Sequence, residues 1–93
     1  MAVTVRLPGA LRDAIGGQTK LETRAGTLAE VISEIDRRHP GFRSRVVDDS
    51  GALRTYVNVY IGDDDARSKG GTGAAVPDGS EVMVIPAMAG GIR

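Results

Sequence analysis

Apolar positions recur along this chain in two periods. Val3, Val5 and Leu7 alternate with Thr4 and Arg6, the pattern of a half-buried strand ended by Pro8-Gly9. A second alternating run covers Arg54 to Ile61, with Val57, Val59 and Ile61 set against Tyr56, Asn58 and Tyr60. The aliphatic set is assigned to the core and the tyrosines to the outer face of the sheet. Val82-Met83-Val84-Ile85 is a short apolar run suited to a buried strand, and Pro86, lacking an N–H, should end its pairing. Thr19 to Thr23 is a weaker strand, expected to lie antiparallel to the first. Between them, Ala10 to Ile15 reads as about one helical turn with Leu11 and Ile15 inward, followed by a turn at Gly16-Gly17.

The other period is helical. Leu28, Val31, Ile32 and Ile35 fall at i, i+3, i+4 and i+7, one face of a helix. Thr27-Leu28-Ala29-Glu30 is a capping box at its start, and His39-Pro40-Gly41 stops it, so the helix runs from Leu28 to Arg38. Phe42 to Val47 reads as a further turn burying Phe42 and Val46. Asp48-Asp49-Ser50-Gly51 is a turn cluster, and Gly62 to Asp65 closes the preceding strand. Ala66 to Val76 is a polar connector with a minor strand or bridge. Pro77-Asp78-Gly79 is a turn with Pro at its first corner. The order strand, strand, helix, strand, short elements, strand fits an α+β, β-grasp (ubiquitin-like) fold. Its mixed four- to five-stranded sheet would be covered on one face by one main helix, with the first and last strands adjacent in the middle.

Composition narrows the chemistry. Twelve basic and twelve acidic residues cancel, leaving no electrostatic footprint for nucleic acid or an anionic membrane. No apolar run is long enough to span a bilayer, and the first residues lack the regions of a signal peptide, so the expected compartment is the cytoplasm. The absence of cysteine excludes disulfides, side-chain persulfides and thiolate metal sites, and the single histidine, His39, leaves no imidazole cluster. No catalytic or metal-binding residue is assigned, and no bound cofactor is expected. Lys69-Gly70-Gly71-Thr72-Gly73 lacks the phosphate-loop spacing and reads as a polar loop. Asp63 to Asp65 lacks the alternate spacing of a calcium loop and reads as a solvated turn. His39 is expected to cap the last helical carbonyls.

The segment after Pro86 is small and glycine-rich: Ala87-Met88-Ala89-Gly90-Gly91, followed by Ile92-Arg93. Residues 1–87 are taken as one domain and 88–93 as a flexible tail, thin enough to thread a narrow channel. Position, not the glycine pair alone, carries this signal, because Gly16-Gly17 and Gly70-Gly71 are pairs of the same kind. With Val57, Val59, Val82 and Val84 inward, Tyr56, Tyr60, Met83 and Ile85 fall on the open sheet face beside the tail and form a candidate partner surface.

These residues resemble the ThiS/MoaD family of ubiquitin-like sulfur carriers, in its CysO-like branch. The matching pieces are Leu28-Ala29-Glu30-Val31-Ile32, Tyr56 to Ile61 running into Asp63-Asp64-Asp65-Ala66-Arg67, Asp78-Gly79, and Val84-Ile85-Pro86-Ala87-Met88-Ala89-Gly90-Gly91. The resemblance implies a protein co-substrate, not an enzyme. An E1-like activating enzyme would use ATP to adenylate the Gly91 carboxylate. A sulfur donor would convert it to a thiocarboxylate, and a biosynthetic client enzyme would accept the sulfur. Met88, Ala89 and Gly90 would form the tail that enters the activating enzyme. In the family the second glycine is normally last, so Ile92-Arg93 implies a precursor cut between Gly91 and Ile92 by a JAMM-type zinc metallopeptidase, in preference to a relative that has lost sulfur carriage. The alternative implied by the same tail is a ubiquitin-like modifier joined through Gly91 to lysines. A plain β-grasp interaction domain would need no tail at all.

Overall fold

The computed structural model describes residues 2–7 and 16–86. The expected turn at Ala10 to Ile15, with Leu11 and Ile15, lies outside the described residues, as does the tail. Among these residues seven strands and two α-helices follow in order: β1 (Val3–Arg6), β2 (Lys20–Thr23), β3 (Gly26–Thr27), α1 (Leu28–Arg38), α2 (Phe42–Val46), β4 (Val57–Ile61), β5 (Asp64–Asp65), β6 (Ala75–Val76) and β7 (Glu81–Pro86). The main sheet has the order β2-β1-β7-β4-β5, and β3 pairs with β6 separately. Its one parallel pairing among the described residues joins β1 to β7, with Val5 opposite Val82, so the first and last strands sit side by side in the middle.

Alternation sets the faces. Val3, Val5, Leu21, Val57, Val59, Val82 and Val84 point into one core, met by Leu28, Val31, Ile32 and Ile35 of α1 and by Phe42 and Val46 of α2. This is the expected two-layer α+β arrangement, with helices on one sheet face only among the described residues. The capping box forms as its sequence predicts: Glu30 N donates to Thr27 Oγ1 at 3.2 Å, and Thr27 N donates to Glu30 Oε1 at 2.8 Å. Gly26 makes room for it. A Cβ there would stand 2.5 Å from Glu30 Oε1, and its φ of +153° strains any side-chain-bearing residue. At the other end, His39 caps α1 with its backbone N–H on Ile35 O at 2.8 Å; the cap is made by the main chain.

Three expected boundaries move. The fourth strand starts at Val57, three residues later than its alternation suggests. Arg54 N donates to Val46 O, and Val57 N turns back to Arg54 O at 3.0 Å, so Arg54 to Tyr56 wraps the end of α2 before the strand begins. The aspartates after Gly62 are more than a turn: Asp64 and Asp65 pair with Ile61 and Tyr60 as an edge strand. Gly62 (φ +61°) then takes the first corner of a two-residue loop, where a type II′ hairpin needs positive φ. The next turn is shifted by one residue. Ser80 N donates to Pro77 O at 3.0 Å, which places Pro77 before the corners, Asp78 first and Gly79 (φ +84°) second. Positive φ at the second corner is a type II requirement that glycine meets. Lys69 to Gly73 is a polar loop as expected, built of short 3-10 turns.

The Asp48 cluster is a self-contained hydrogen-bonded loop. One carboxylate oxygen accepts from Ser50 Oγ at 2.6 Å, from Ser50 N at 2.9 Å and from Ala52 N at 3.2 Å. The Ser50 hydroxyl first, and then the Ala52 N–H, favour the charged form and hold this carboxyl below the usual aspartate range. Because the folded value is the lower one, the stabilisation is intact above the unfolded aspartate pKa of about 3.9 and is lost as pH falls below it through the folded value. An NMR titration of the folded protein should therefore give Asp48 a midpoint below about 3.9, and Asp48→Asn should flatten the fall in stability under acid. A midpoint at or above the ordinary value would contradict this.

The box and Gly26 act as one unit. Gly26→Ala should cost about 1 kcal/mol, and Glu30→Ala a similar amount, in urea unfolding. Because both remove the same hydrogen bond, the double variant should cost clearly less than the two together. Simple additivity would show that the Cβ does not displace the carboxylate.

Candidate functional site

β7 lies between β1 and β4, and its far end at Pro86 stands opposite Val57. β7 is thus a central strand, and its last described residue lies at the end of the sheet where β4 begins. Gly91, Gly90, Ala89, Met88 and Ile92 lie outside the described residues.

The open face carries a continuous row across all five strands. Lys20 pairs with Arg6, Arg6 with Met83, Met83 with Tyr60, and Tyr60 with Asp65. One step nearer the exit, Ile85 stands opposite Asn58. Tyr60, Met83 and Ile85 thus meet on one face, each half-buried by its neighbours, with directly opposite and diagonal contacts of the kind that link cross-strand side chains. Tyr56 is placed differently from the expectation. It belongs to the turn before β4, beside the sheet and not on it, and is 49% exposed, the one large hydrophobic so exposed among the described residues. The Arg54 guanidinium lies 6.0 Å from its ring centroid, within reach of a weak cation–π attraction. The apolar patch is edged by charge. Arg6 Nε donates to Glu81 Oε2 on one side, and Asp65 stands opposite Tyr60 on the other. Exposed pairs of this kind add little stability and suit a polar rim.

One residue at this site was named in the sequence only as part of a motif. Arg67 Nη2 donates to Arg54 O at 2.6 Å and to Val57 O at 2.7 Å, while Nη1 reaches Asn58 Oδ1 at 3.1 Å. The spacing of Asp65-Ala66-Arg67 shows a turn; it contains nothing that points to those acceptors, which lie up to thirteen residues away. Among the described residues no group of three or more His, Asp or Glu could hold a metal, and no helix is long and apolar enough to cross a membrane. The described part of the site consists of a surface and a strand end.

The model of the ThiS family matches residues 5–91. The chain belongs to the ThiS family. Sulfur carrier protein CysO of Mycobacterium tuberculosis is 41% identical over 93 residues, spanning 98% of this chain and all of the relative. The crystal structure of that organism's CysO matches with a TM-score of 0.86 at 39% identity, covering 91% of this chain and 98% of that one. A chain in the crystal structure of the Amycolatopsis orientalis BexX/CysO complex matches with a TM-score of 0.88 at 38% identity, covering 92% and 96%. Small archaeal modifier protein 1 of Haloferax volcanii, 21% identical with a TM-score of 0.75 over 92% and 94% of the two chains, shares the fold. The ubiquitin-like β-grasp expected from the order of elements is thus the observed fold.

The face assignment can be checked without a partner. Met83→Asp changes a half-buried residue on the open side and should cost less than about 1 kcal/mol in urea unfolding. Val84→Asp puts a carboxylate at a position 2% exposed in the core and should cost more than about 4 kcal/mol or prevent folding. Equal costs would mean that the two faces are wrongly assigned.

Proposed function

We propose that this chain is a sulfur carrier, a protein co-substrate whose reactive group is the Gly91 carboxylate once Ile92 and Arg93 are removed. The observation that carries the reading is the extent of the family match, which runs through the central strand and ends on Gly91. The similarity to the sulfur carrier CysO over nearly the whole chain supports it. So does the composition, which supplies no side-chain thiol on which sulfur could travel.

The chemistry balances with groups the chain and its partners supply. Water, with a JAMM-type zinc metallopeptidase, opens the amide between Gly91 and Ile92 and leaves a carboxylate. In the E1-like enzyme one carboxylate oxygen attacks the α-phosphorus of ATP and pyrophosphate departs. The sulfur of hydrosulfide then adds to the acyl carbon, AMP leaves, and a thiocarboxylate remains. In the client enzyme that sulfur attacks an electrophilic carbon of a small acceptor and displaces the leaving group that carbon carries, which departs with its electron pair; cleavage of the acyl–sulfur bond by water then releases the thiol product and restores the carboxylate. Adenylation is needed because a carboxylate is a poor target for a nucleophile at neutral pH.

The five residues after Pro86, Ala87 to Gly91, span at most about 18 Å when extended. The body must therefore sit close against the activating enzyme while the tail reaches its ATP. Tyr60, Met83 and Ile85, with Tyr56 at their edge, are the surface we assign to that contact. The BexX/CysO complex, one chain of which resembles this one, supports a carrier that works against a partner protein.

Chain ending at Gly91, incubated with its E1-like enzyme, ATP and sulfide, should gain the mass difference between sulfur and oxygen, whereas chain ending at Arg93 should not change. In the same assay Met83→Asp should raise KM for the carrier about tenfold. A trimmed chain that gains no mass rejects the carrier reading. Gly-Gly remnants on lysines of cellular proteins, without thiocarboxylate, would favour the modifier alternative.

A further inference from the structure

β5 covers only the Tyr60 and Ile61 end of β4. At the other end, beside Pro86, no strand among the described residues pairs with the outward carbonyl of Val57, and a bare strand edge is costly to bury and open to unwanted pairing. The Arg67 guanidinium fills that place. It donates to Val57 O, Arg54 O and Asn58 Oδ1 together, so one rigid planar fork fastens the turn before β4 to the first two residues of the strand. Arg67 is itself aimed from behind. Its N–H donates to Asp65 Oδ1 at 2.9 Å, and Ala66 is fully buried between them. Thr72 Oγ1 adds a parallel tie to Gly51 O at 3.1 Å, so the connector grips the whole segment that leads into β4.

What the guanidinium holds is the partner strand of the exit. Val57 stands opposite Pro86, Asn58 stands opposite Ile85, and Tyr56 projects beside them. We infer that Arg67 is a positioning residue for docking. It fixes Tyr56, Asn58 and Ile85 relative to the end of β7, so that the contact surface and the departing tail meet a partner in one geometry. The inference rests on the carrier reading, and it assigns the positioning to a residue outside the apolar patch. Lysine cannot replace the arginine, because a single ammonium on a flexible stem does not present a planar fork to three acceptors. Without the clamp, the segment before β4 samples several positions, and docking must select one of them, which weakens apparent affinity without touching the chemical step.

The test uses chain ending at Gly91, with the E1-like enzyme, ATP and sulfide. Arg67→Ala should raise KM for the carrier about fivefold with kcat within about twofold. Arg67→Lys should recover only a minor part of the loss. Millimolar guanidinium chloride, far below denaturing levels, should restore Arg67→Ala and leave the wild type unchanged. Amide shifts between wild type and Arg67→Ala should concentrate at Tyr56, Asn58 and Ile85 and not at β2. Unchanged KM, full recovery by Arg67→Lys, or a loss that only tracks the unfolded fraction seen by circular dichroism would each overturn the inference. If the wild type itself gains no sulfur, the carrier reading fails instead, and the amide shifts still decide whether the clamp exists.

Discussion

The structure depends on the pairing of β1 with β7. Two parallel neighbours cannot be joined by a hairpin, so the chain between them must leave the sheet and come back. On that path it lays α1 across one face, adds α2, and returns through β4 and β5. The helix-covered face, the open face and the central place of the last strand all follow from that one connection. β7 is held by Val82 and Val84 in the core, by a ladder to β1 from Glu81 to Met83, and by a ladder to β4 from Val82 to Pro86. The segment that follows Pro86 is therefore rooted on the ladder between β7 and β4.

How much of this was legible depends on the range of the interactions involved. The helix was readable to the residue, because its stripe and its capping box are local: Thr27 meets Glu30 three positions on. The inward sets of β4 and β7 were readable because alternation is a property of the strand itself. The start of β4 was not, since Arg54 is turned aside by a bond to Val46 O that no period in the sequence announces. Asp64 and Asp65 carry low strand propensity, yet they pair because Gly62 folds them back onto an existing edge, a tertiary choice that overrides propensity.

The candidate site divides in the same way. Tyr60, Met83 and Ile85 come together as alternation requires, because their inward neighbours fix the face. Tyr56 obeys the same parity in the sequence but stands outside the strand, so it joins the patch from its side. Arg67 was hidden because its acceptors are main-chain carbonyls, which every residue has and which no residue type marks. A guanidinium that serves as a missing strand leaves no trace in composition or period.

Alternation also has a consequence for how one strand can serve two purposes. Along β7, Val82 and Val84 supply core burial, while Met83 and Ile85, in the reading proposed here, supply contact with a partner. A slip of one residue would exchange the two sets and ruin both. Register must therefore be fixed somewhere other than at the patch, and it is fixed at the opposite end of the strand. Ser80 N closes the Pro77 turn, Gly79 N donates to Ala2 O at 3.1 Å, Thr4 N donates to Ser80 O at 3.1 Å, and Gly62 N donates to Glu81 O at 2.8 Å. These main-chain bonds lie at the end of β7 farthest from the exit. Residues on the open face can thus vary with the partner they meet at little cost to the register that presents them.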